Sequence, residues 1–88
     1  MKRYLIIYKG LVQGVGFRYR LFEIANKYHL TGYAKNLSDG NVECQVQGED
    51  ISGFLKESTT PYYFIMVDDY IIKEIPVIEN ELDFRARY

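Results

Sequence analysis

The hydrophobic period of this chain changes at Gly14-Val15-Gly16, and that change limits the folds open to it. Before it, residues 3–12 carry apolar or aromatic groups on both alternating sets of positions. This is the pattern of a strand covered on both faces, hence a central one. After it, Phe17, Leu21, Ile24, Ala25 and Tyr28 recur at i, i+4, i+7, i+8 and i+11. They form one stripe of a helix that runs to about His29, with Arg18, Arg20, Glu23 and Lys27 off the stripe.

The period then returns to two. Residues 31–36 and 41–47 read as strands joined through Ser38-Asp39-Gly40-Asn41, where the Asp-Gly pair is a strong hairpin signal. In the second strand Val42, Cys44 and Val46 alternate with Glu43, Gln45 and Gln47, one buried face and one wet face. A short helix is predicted over 50–58, with Ile51, Phe54 and Leu55 inward. Gly53 weakens it by about 1 kcal/mol relative to alanine, and Thr59-Thr60-Pro61 ends it.

Tyr62 to Ile75 is apolar and β-rich, and Asp68-Asp69 marks a bend or bulge before Pro76 stops the run. Phe84, Ala86 and Tyr88 alternate with Arg85 and Arg87 in a closing strand over 83–88. The order β-α-β-β-α-β plus a closing strand predicts an α+β fold in one domain, residues 1–88. Its antiparallel sheet of four to five strands is backed by two helices.

Composition narrows the chemistry. Cys44 is the sole cysteine, which excludes an internal disulfide and a cysteine-based zinc cluster and fits a reducing, cytoplasmic setting. No apolar stretch approaches the ~20 residues that span a bilayer, so no membrane partner is expected. Residues 1–36 hold a net charge of +6 and residues 37–88 a net charge of −7. A positive site on an acidic body attracts a small anion and disfavours nucleic acid. In so small a domain the split can equally carry no meaning.

His29 is the only histidine and Cys44 falls on a buried strand face, so neither Cys–His nor Ser–His–Asp catalysis is expected. No carboxylate or histidine spacing suggests a metal site, and no cofactor is called for. The glycine turn remains. Glycines allow positive φ and turn N–H groups inward, and a new helix adds its positive end. Arg18 in the first helical turn opposes the macrodipole, a conflict that a bound dianion would resolve. Otherwise Arg18 is a surface cation paired with an acid of the second half.

The stretch Val12-Gln13-Gly14-Val15-Gly16-Phe17-Arg18 resembles the defining motif of the acylphosphatases. Gly32-Tyr33-Ala34-Lys35-Asn36, followed by Asp39-Gly40, Val42-Glu43 and Val46-Gln47-Gly48, is similar to that family's second motif at the expected distance. The resemblance implies a ferredoxin-like βαββαβ sandwich, a monomer whose substrate is a small acyl phosphate hydrolysed to carboxylate and phosphate. It implies that Arg18 holds the phosphate, that N–H groups of Gln13, Gly14, Val15, Gly16 and Phe17 cradle it, and that Asn36 orients the attacking water. No metal or covalent phospho-enzyme is implied.

The chain departs from the family at His29, where a glycine is usual, and at Tyr33, where a tryptophan is usual. Beyond residue 48 the likeness fades, and Thr60-Pro61-Tyr62-Tyr63-Phe64 stands in place of a Gly-Pro segment. Two other readings stay open. One is a module that binds an anion or carbamoyl phosphate without catalysis. The other is RNA binding on the sheet, for which strand 42–47 lacks the aromatic-glycine signature.

Overall fold

The computed structural model describes residues 1–88. Its elements are β1 (Lys2–Leu11), α1 (Phe17–Lys27), β2 (Thr31–Asn36), β3 (Val42–Gly48), α2 (Ile51–Ser58), β4 (Met66–Ile75) and β5 (Phe84–Arg87). They form a five-stranded sheet in the order β4-β1-β3-β2-β5, with β1 inside it as its two-sided apolar pattern requires.

One expectation is corrected. The sheet is mixed, because β5 runs parallel to β2 while the other pairs are antiparallel. The reason is the route of the chain. After β4 on one edge, residues 76–83 carry it to the opposite edge, where β5 runs back against the direction of β4 and so along β2. The closing strand also contributes less to the core than its alternation suggests. Phe84 is buried, whereas Ala86 and Tyr88 are exposed at the sheet margin.

The core lies between the sheet and the two helices. Ile6 and Tyr8 of β1, Ala34 of β2 and Val42, Cys44 and Val46 of β3 meet Phe17, Leu21, Ile24 and Ala25 of α1 and Phe54 of α2. The Tyr8 and Phe17 rings meet edge to face, with centroids 4.9 Å apart at 86°. The Tyr8 hydroxyl shares a hydrogen bond of 2.7 Å with Ser58 Oγ, so β1 is joined to both helices through one side chain. At Asp68 the register of β4 against β1 shifts between Lys9 and Gly10, the bulge that the acidic pair marked.

The opposite face of the sheet holds a buried polar network that alternation does not reveal. Arg3 is 1% exposed, and its Nη1 and Nη2 donate to the Glu81 carboxylate at 2.7 and 3.1 Å. Its Nε donates to Gln45 Oε1 at 2.9 Å and its Nη1 also to Gln47 Oε1 at 3.2 Å. Gln47 accepts from the Ile78 N–H and donates to the Ile78 carbonyl, at 2.8 and 2.9 Å. The expected wet face of β3 is therefore dry at Gln47, because the crossing segment lies over it.

Helix α1 stops two residues before the predicted end. Tyr28 is its C-cap, and His29 follows at φ 56°, the left-handed conformation that glycine adopts without cost. The Leu30 N–H closes the end by donating to the Ala25 carbonyl at 2.8 Å.

Two measurements probe these features. Burial alone would raise the Glu81 carboxyl, but hydrogen bonds from Arg3 and Thr31 and the charges of Arg3 and Arg87 outweigh it and hold it below its ordinary value. Its stabilisation is therefore full above the ordinary carboxylate range, near pH 4.3, and is lost as pH falls below it. Glu81→Gln should cost about 3 kcal/mol at pH 7, and urea midpoints of the two proteins should converge below pH 4. His29→Gly should stabilise by about 0.5–1 kcal/mol, seen as a raised Tm.

Candidate active site

The turn between β1 and α1 is built by backbone direction. Gly14 and Gly16 take φ of 71° and 80°, and an added Cβ at either would meet nothing within 4 Å. Left-handed geometry, not crowding, demands glycine here, and the space beside both residues is open. Gly16 is the N-cap of α1, no side chain caps the helix, and its first turn holds no acid. The leading N–H groups of α1 thus lack the oxygen that a capping side chain supplies, and they lie at the positive end of the dipole.

Around this turn Gly14, Gly16, Phe17, Arg18, Asn36 and Tyr88 line one cleft of about 250 Å³. That volume suits a small ligand rather than an extended one. Phe17 is 1% exposed and holds the start of α1 against the core, so the next residue, Arg18, is presented to the cleft from a fixed base.

Arg18 has no ion-pair partner. Five acids of the second half pair elsewhere, Glu81 with Arg3, Glu57 with Lys27, Glu74 with Lys2, Glu49 with the N-terminus and Asp83 with Arg85, and none of the others forms an ion pair with Arg18. The Arg18 guanidinium lies 4.7 Å from the centroid of the Tyr88 ring, and its Nη1 donates to the Arg87 carbonyl. β5 therefore orients the guanidinium without neutralising it, and the other donors of its fork remain available to an anion.

Asn36 is the last residue of β2, opposite Val42 in the β2–β3 ladder. Its Oδ1 is buried and has no hydrogen-bond partner in the protein. An unmet buried acceptor beside a small cleft is uncommon in a folded protein.

The remaining members of the predicted loop lie off these walls. Val15 lines an adjoining cleft and packs partly against the core. The Gln13 side chain turns the other way, and its Nε2 donates to the Leu37 and Asn41 carbonyls at 2.7 and 2.8 Å. It ties the glycine turn to the β2–β3 hairpin, one residue beyond Asn36.

Burial pushes the Cys44 thiol well above its ordinary value, which removes it as a nucleophile at neutral pH. His29 lies at the far end of α1. Sequence reasoning missed Tyr88 and the Arg87 carbonyl. The arginine–aromatic alternation of β5 signals a strand, and no pattern signals that a backbone carbonyl will receive Arg18.

Gln13→Ala would strip a donor from two carbonyls and should destabilise the protein by about 1–3 kcal/mol in urea denaturation.

The sequence profile of the acylphosphatases matches residues 4–86. An acylphosphatase from Clostridium acetobutylicum is 42% identical over 90 aligned positions, covering 100% of this chain and 99% of that protein. The crystal structure of acylphosphatase from Bacillus subtilis, 36% identical, superposes with a TM-score of 0.93 over 100% of both chains. T. kodakarensis HypF is 34% identical with a TM-score of 0.86, over 100% of this chain and 12% of that one. A match of profile, sequence and fold along nearly the whole length has one meaning: this chain belongs to the acylphosphatase family.

Proposed function

We propose that this protein hydrolyses small acyl phosphates, with Arg18 and the turn Gln13–Phe17 holding the phosphoryl group and Asn36 holding the water. Family membership supports the reaction. The observation that carries the assignment of residues is the pairing, in one cleft, of an arginine without an acidic partner and an asparagine oxygen without a donor.

The chemistry asks little of the protein beyond placement. Water attacks phosphorus, the bond from phosphorus to the acyl oxygen breaks, and its electron pair leaves with the carboxylate. The water proton passes to a phosphate oxygen, so no side chain need act as a base. Carboxylate is already a good leaving group, and the barrier falls chiefly through orientation and charge neutralisation. The N–H groups at the start of α1 and the Arg18 guanidinium offset the dianion, and Asn36 Oδ1 accepts from the water and turns its lone pair toward phosphorus.

RNA binding would use the open sheet face, part of which is occupied by Ile78 and Glu81.

With a chelator present, the wild type should release phosphate from acetyl phosphate. Arg18→Ala should lose at least about 10³-fold in turnover together with inhibition by phosphate. Asn36→Ala should lose roughly 10²-fold in kcat with a smaller change in phosphate inhibition. No phosphate release by the wild type would falsify the reading.

A further inference from the structure

The two margins of the sheet differ in what they offer to another molecule. β5 is four residues long and carries Arg85 and Arg87, so a second copy of it would meet like charge. β4, on the opposite margin, is ten residues long and holds no proline. The helices stand chiefly over other strands, α1 against β2 and β5 and α2 against β3. Exposed apolar side chains occupy both faces of β4: Tyr70 and Ile72 on the side of Tyr8 and Ile6, and Ile71, 54% exposed, on the side of Ile7.

Symmetry limits how two such strands can join. A two-fold axis normal to the sheet sets β4 antiparallel to β4, keeps each side chain on its own face and passes through a residue that meets its own copy. With Ile71 on the axis, Tyr70 faces Ile72 of the second copy and Asp69 faces its Lys73, each pair made twice. Apolar then meets apolar, and each charge meets its opposite. An axis at Tyr70 sets Asp69 against Ile71, and an axis at Ile72 sets Lys73 against Ile71. The ladder of β4 against β1 is regular from Asp69 onward, since Asp68 has no opposite residue in β1, and Glu74, past the other end of the paired stretch, lies 3.9 Å from Lys2.

We propose that β4 joins β4 of a second copy of this chain about an axis at Ile71, giving a dimer with one sheet continuous through both molecules. The occupant is a second copy because the complement of Asp69 is Lys73 of the same strand. On one face the row Ile7–Ile71 meets the same row of the other copy. In the single molecule Asp69 Oδ1 accepts from the Tyr70 N–H at 2.8 Å, and an incoming carbonyl can take that N–H and release the carboxylate to Lys73. Association stops at two, since the margin left open is β5 with its arginines. The dimer departs from the monomer that family resemblance implies.

Sedimentation velocity on the full chain tests this. So short a junction makes a weak interface, and the dimer should populate above roughly 0.1 mM protein and recede as salt is added. Asp69 and Lys73 are both exposed, so exchanging their charges spares the core. Asp69→Lys and Lys73→Asp each set like charges face to face twice, and each should weaken the dimer at least about tenfold. Mixed in equal amounts, the two single variants should associate with each other, because every charge then faces its opposite, and that recovery also shows both to be folded. A wild type that stays monomeric at about 1 mM overturns the proposal. So does a dimer indifferent to either substitution, a mixture that fails to associate, or growth beyond two copies.

Discussion

The edge-to-face contact of Tyr8 with Phe17 decides where everything else in this molecule can stand. Phe17 is the first residue of α1, directly after a turn of two left-handed glycines. Such a turn has a wide choice of paths, and a buried ring at its exit selects one. Tyr8 passes the constraint on, since its hydroxyl meets Ser58 at the end of α2. The result is a glycine turn whose backbone direction is fixed by buried core rings.

Rigid support reaches the site from three directions. From below, Phe17 fixes the base of Arg18. From one side, Gln13 locks the turn to the hairpin that follows β2, which ties the spacing between the glycine turn and Asn36 to two hydrogen bonds. From the other, β5 holds the guanidinium through the Arg87 carbonyl and the Tyr88 ring. Electrostatic stabilisation by fixed groups needs no reorganisation as charge develops, and these contacts supply that fixity.

Periodicity made most of the elements legible. The switch of period at Gly14–Gly16, the Asp39-Gly40 hairpin and the alternation of β3 correspond to real turns, strands and faces. Arg18 and Asn36 were singled out through motif resemblance, since composition alone leaves both as ordinary surface residues, and they line one cleft. What stayed hidden shares one physical cause. A residue's period tells which face it takes, not what later chain crosses that face. Burial of Arg3 and Gln47, the parallel pairing of β5 and the seat of Tyr88 on Arg18 all depend on where residues 76–83 travel. The side-chain role of Gln13 was hidden for a related reason, because its partners are carbonyls, which every residue carries.

The bulge at Asp68 also bears on how the molecule behaves among its own copies. β4 is an outer strand of ten residues, with Tyr70, Ile71 and Ile72 partly in solvent. Such an edge offers unpaired backbone groups to any strand that approaches it. The register slip and the two adjacent carboxylates of Asp68 and Asp69 break that edge near its start, so a strand approaching there meets a kink and negative charge in place of a flat template. The irregularity that fits β4 against Gly10 thus also shortens the regular stretch of edge that a second sheet could join.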